Sequence, residues 1–120
     1  MSSVRWEQNT LMAVDIPDLI TIRLEGDLDV SRYPEFRGAF IDRIGTAGPV
    51  LVDLSAATLV DSTFLSELLL FARRVRDQRR QIAVLITHPL VARTFSLANV
   101  SERFEIHGNR DDAIRSLQRA

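Results

Sequence analysis

Val50-Leu51-Val52-Asp53-Leu54-Ser55-Ala56-Ala57-Thr58-Leu59-Val60-Asp61-Ser62-Thr63-Phe64-Leu65 is the stretch on which the reading of this chain turns. Val50 to Leu54 is a nearly continuous apolar run, the pattern of a strand covered on both faces and therefore central in its sheet. A short polar loop follows, and Asp61-Ser62-Thr63 then opens a helix with residues of the N-cap type. The first helical turn leaves backbone N–H groups without partners and gathers the positive end of the aligned peptide dipoles. A hydroxyl at Ser62 thus stands where a phosphate would be stabilised. Capping competes as an explanation, since Asp, Ser and Thr commonly do no more than start a helix.

Upstream, Leu19 to Gly26 is rich in aliphatic and β-branched residues and reads as a strand ending at the glycine, with a further strand or hairpin expected within Val4 to Val14. Asp27 to Tyr33 supplies loop and cap chemistry. Pro34 suits a first helical turn, and Phe36, Phe40, Ile41 and Ile44 recur at helical spacing until Gly45. Gly48-Pro49 breaks the chain before the central strand.

Downstream, a helix is expected from about Ser62 to Arg80, its apolar stripe formed by Leu65, Leu68, Leu69, Ala72 and Val75. Arg73, Arg74, Arg76, Arg79 and Arg80 crowd its end, where cations complement the helix dipole; the alternative is a basic docking patch. Ile82 to Thr87 reads as a second buried strand. Pro89 opens a short helix to about Asn99, Phe104 to His107 reads as a short edge strand, and Asp111 begins a last helix. Alternation of strand and helix predicts a single α/β domain over residues 1–120, with parallel strand pairs joined by crossovers.

Composition narrows the function. The 120 residues fit one core, and 15 basic against 16 acidic side chains leave a net charge of -1, which gives no field for nucleic acid or an anionic membrane. Every basic residue is Arg, which reads as codon bias in a GC-rich genome. Cysteine is absent, which removes disulfides, thiolate catalysis and cysteine metal sites. The start lacks the apolar segment of a secretory signal and no run is long enough to span a membrane, so a cytoplasmic protein without membrane insertion is expected. Neither Gly-x-x-x-x-Gly-Lys nor Gly-x-Gly-x-x-Gly occurs, and Asp61-Ser62-Thr63-Phe64-Leu65 lacks the glycines of a nucleophile elbow. His88 and His107 alone make a poor metal site, and Asp27 and Asp29 suit a turn better than a catalytic pair. No enzyme, cofactor or metal is expected.

Gly26-Asp27-Leu28-Asp29, Asp53-Leu54-Ser55 and Leu59-Val60-Asp61-Ser62-Thr63, with Leu65 and Leu68 behind, carry a resemblance. The chain resembles a STAS domain, the family of anti-sigma-factor antagonists, over nearly its whole length. That resemblance implies a mixed sheet of about four to five strands with about four helices mainly on one face. It also implies a bacterial, non-enzymatic partner switch in transcription regulation. The partner is an anti-sigma factor with serine kinase activity, which phosphorylates the antagonist and releases it, and a phosphatase resets the cycle. The first Ser of the family's Asp-Ser-[Ser/Thr]-Gly-Leu motif, the phosphoacceptor, corresponds to Ser62, and the acid of its Gly-x-[Leu/Ile]-Asp turn to Asp29. Asp27, Asp61, Thr63 and Phe64 complete the expected partner-binding set. Phe64 replaces the motif glycine, and is expected either to anchor a partner or to turn inward toward Leu68 and Phe71. A constitutively bound STAS subunit of a transporter or scaffold complex is the other reading.

Overall fold

The computed structural model describes residue 16 and residues 18–118. β3 (Val50–Asp53) is buried at all four positions because β1 (Ile20–Arg23) and β5 (Ile82–Leu85) flank it and helices cover both faces. β6 (Glu105–His107) completes a four-stranded sheet of order β1-β3-β5-β6, every pairing parallel, with Ile20 opposite Val50, Val50 opposite Ile82 and Ala83 opposite Glu105. Parallel neighbours need long crossovers. α1 (Tyr33–Ile44), α2 (Ser62–Asp77) and α3 (Pro89–Leu97) supply them, and α4 (Arg110–Gln118) closes the chain.

The two faces differ in weight. Phe36 and Phe40 of α1, Phe64, Leu68 and Phe71 of α2, and Val91 and Phe95 of α3 pack with Ile22, Val52 and Val84 in the larger core. Its centre is aromatic: the Phe36 and Phe64 rings meet edge to face at 5.1 Å, and Phe40 stacks on Phe71 at 4.8 Å. On the other face, Leu51, Ala83 and Leu85 are covered by Ala113, Ile114 and Leu117 of α4. Three helices on one face and one on the other agree with the expected arrangement.

Two short strands escaped the sequence reading. β2 (Gly26–Leu28) and β4 (Ala57–Val60) pair in parallel as a separate ribbon, where Gly26 was expected to end a strand and residues 55–60 to form a loop. Segments of three and four residues are too short to display a period, and their pairing is a tertiary event. α2 stops at Asp77, short of Arg80. Arg79 takes a left-handed φ of 61°, and the N–H groups of Arg79 and Arg80 turn back to the carbonyls of Arg76 and Val75, a Schellman-type ending. Val4 to Val14, read as a first strand or hairpin, lies outside the described residues.

Candidate functional site

The β2–β4 ribbon sets Leu28 opposite Val60, so Asp29 and Asp61, the residues that follow, emerge side by side. Asp61 is the N-cap of α2. One carboxylate oxygen accepts the Phe64 N–H at 2.9 Å, and the other accepts the Val30 N–H at 3.0 Å. A single side chain therefore caps the helix and holds the neighbouring loop against its start.

That loop is ordered from within as well. Asp29 caps a single 3-10 turn, Val30–Arg32, accepting the Ser31 N–H at 3.0 Å and the Ser31 hydroxyl. The hydroxyl first, then the N–H, hold the Asp29 carboxyl below the usual aspartate range. Arg32 reaches back to the carbonyls of Glu25 and Asp27 and forms a fork with Glu35, at 3.1 and 2.6 Å. Gly26 lies under this clamp at φ 76°, and a Cβ there would approach the Arg32 guanidinium to 3.3 Å, so both conformation and space favour glycine. Asp27 accepts the Thr58 hydroxyl at 2.6 Å across the ribbon. Below it, buried Asp53 accepts the Ser55 N–H at 2.9 Å and pairs with Arg23 at 3.2 Å.

Ser62 is exposed at the first position of α2, and Thr63 beside it is half-buried. The structure thus brings Asp27, Asp29, Asp61, Ser62 and Thr63 to one end of the domain, at the outlet of the β2–β4 ribbon. Phe64 is separated from them. Its side chain is 0% exposed, between the rings of Phe36 and Phe40, so the expectation of a surface anchor is corrected: packing three phenylalanines from two helices outweighs display of one.

Sequence reasoning missed Val30, Leu59, Arg32 and Thr58. Val30 is 65% exposed at the apex of the loop and Leu59 is exposed on β4, which makes them the apolar surface next to Ser62. An apolar residue inside an Asp-rich turn is the available signal. The histidines have partners of their own: His88 accepts the Leu90 N–H through Nδ1 at 3.1 Å, and His107 lies 3.3 Å from Glu105. Among the described residues no three His, Asp or Glu side chains gather as a metal site, and no helix is long and apolar enough to cross a membrane.

The domain is thus a parallel α/β fold whose strand-to-helix turns carry hydrogen-bonded acids around an exposed serine. Residues 12–107 match the family model described as Mlab, STAS domain, and the chain belongs to the STAS family. It is 30% identical over 87 residues to a STAS-domain containing protein of Pseudomonas aeruginosa, covering 72% of this chain and 86% of that one. Its fold is shared with an anti-sigma factor antagonist from Mycobacterium paratuberculosis, at TM-score 0.76 and 20% identity, over 87% of this chain and 89% of that chain. The STAS domain of a SulP transporter from Vibrio cholerae has it too, at TM-score 0.65 and 12% identity, over 85% and 82% of the two chains. At these identities the structural likeness concerns the fold.

Proposed function

We propose that this protein is a cytoplasmic, non-enzymatic partner switch, an anti-sigma-factor antagonist that captures an anti-sigma factor with serine kinase activity and is released by phosphorylation at Ser62. The observation that carries the reading is the double use of Asp61, which fixes the Asp29 loop against the start of α2 while Ser62 stays open to solvent. Partner contact is then made by Val30 and Leu59 beside Asp27, Asp29 and Thr63. The inward Phe64 leaves the approach to Ser62 clear of an aromatic side chain.

A phosphate at Ser62 adds about 1.5 to 2 negative charges next to Asp61. One extra like-charge pair at about 6 Å and an effective dielectric of about 20 costs about 3 kcal/mol before salt screening, about a hundredfold in affinity for a partner presenting acid there. Release is electrostatic in this scheme, and a phosphatase restores binding.

Incubation with the candidate kinase and ATP, followed by peptide mass spectrometry and calorimetric titration, tests the proposal. Phosphate on Ser62 with weakened binding supports it, with Ser62→Ala staying bound and Ser62→Asp partly released. Phosphate only on Thr63, or none with a kinase that binds, refutes the acceptor assignment. Equal affinity for the unmodified, phosphorylated and Ser62→Asp proteins would make this a constitutively bound subunit of a transporter or scaffold complex.

A further inference from the structure

The far end of α2 carries charge that the described residues do not pair. Arg80 is absorbed into structure: its guanidinium donates to the carbonyls of Gly48 at 2.7 Å and Arg43 at 3.2 Å and to the Thr46 hydroxyl at 3.1 Å. Arg76 is braced by the Arg103 carbonyl at 2.7 Å and lies 5.8 Å over the Phe104 ring. By contrast, the side chains of Arg73, Arg74, Arg79 and Arg103 make no hydrogen bond or ion pair with any described residue. Dipole complementation accounts for cations in the last turn of a helix, but not for Arg103, which comes from a different segment and lines the same concavity.

That concavity, of about 370 Å³, has Leu69 and Leu70 as its apolar part and Arg73, Arg76 and Arg103 as its rim, with Asp77 at one side. Leu70 is 44% exposed. We infer that this pole is a second docking surface, which takes an acidic amphipathic segment of a protein partner, with apolar side chains on Leu69 and Leu70 and carboxylates on the arginine rim. The planar guanidinium fork matches carboxylates in pairs, and the leucines give an apolar anchor a place. Asp77 sets the choice among anions. A flat anionic membrane or a nucleic-acid backbone would meet it as repulsion, whereas a peptide can place an N–H or a cation there.

The surface goes beyond the Ser62 switch and is independent of it. Eleven helical steps separate Ser62 from Arg73, about 17 Å, which is about twice the screening length at physiological salt. The two ends can therefore be occupied and released separately.

A labelled 16-residue helical peptide with leucines at i, i+3, i+4 spacing flanked by glutamates is the probe, read by fluorescence anisotropy against the full-length protein. The expected result is saturable binding that falls with salt and weakens at least tenfold in Arg73→Glu/Arg103→Glu. It should return when the peptide's glutamates become lysines, and be unchanged in Ser62→Asp. Both arginines are exposed and have no side-chain partner among the described residues, so the variant should keep the wild-type circular dichroism; Arg73→Gln/Arg103→Gln is the milder substitute if it does not. Absence of binding overturns the inference. So does equal binding of a glutamine-substituted peptide, or tighter binding to phosphatidylglycerol vesicles or duplex DNA.

Discussion

The two ends of α2 solve the problem of surface charge in opposite ways. At the N-terminal end each acid has a partner: Asp27 holds Thr58, Asp29 holds Ser31, and Asp61 holds Phe64 and Val30. At the C-terminal end only Arg76 and Arg80 are engaged, and Arg73, Arg74 and Arg79 extend from the helix without a described partner. One end is prearranged, so the recognition proposed for it would depend on geometry. The other is loose charge over an apolar floor, so the recognition inferred for it would depend on field and salt. A hydrogen-bond inventory separates the two kinds of surface where a residue count would call both merely polar.

Stability measurements put that contrast to the test. The largest effect is expected beneath the start of α2: Phe64→Ala should lower unfolding free energy by about 3 to 5 kcal/mol in urea titrations, because a cavity opens against Phe36 and Phe40. A loss below about 1 kcal/mol would return Phe64 to the surface. Arg80→Ala should cost about 2 kcal/mol, since it strips a guanidinium from two carbonyls and a hydroxyl, marking it off from the arginines around it. Asp61→Ala should cost about 1 to 2 kcal/mol through the lost cap, and hydrogen exchange should speed up at the Val30 amide as well as at Phe64. Exchange changing at Phe64 alone would remove Asp61 as the link between the loops.

Arg73→Glu should shift stability by no more than about 0.5 kcal/mol, as should Ser62→Ala, because neither side chain supports the fold. The smallest effect concerns pH. Asp29 is held below the usual aspartate range by the Ser31 hydroxyl and N–H, so the support it gives the loop is complete above the unfolded pKa and is lost as pH falls through the lower folded value. Proton-coupled shifts of the Ser31 amide in NMR titration should follow that acid limb and vanish in Asp29→Asn.

The order of the long elements was legible in the sequence because each carries its own signal: the apolar run of β3, the stripe of α2, the Pro34 and Pro89 helix starts. The positions of Ser62 and Asp61 at the start of α2 and of Asp29 in its turn were legible as well, through cap chemistry and family motif. What escaped was whatever depends on two distant segments meeting. The β2–β4 ribbon has no local period, Val30 reveals its exposure only once the loop is folded, and Phe64 has an apolar identity that fits core and anchor equally. Only the positions of the Phe36 and Phe40 rings decide it.

The bond from the Val30 amide to Asp61 also has a temporal meaning. Its partners are 31 residues apart, and closing a loop of that length costs about 3 kcal/mol of chain entropy beyond a constant, repaid only when β2 and β4 zip together around it. The acidic turn and the serine come into register only when β2 and β4 pair across the intervening α1 and β3. A half-folded chain has no assembled surface at this end, so under the proposed function capture by a partner would double as an inspection of whether the chain has finished folding.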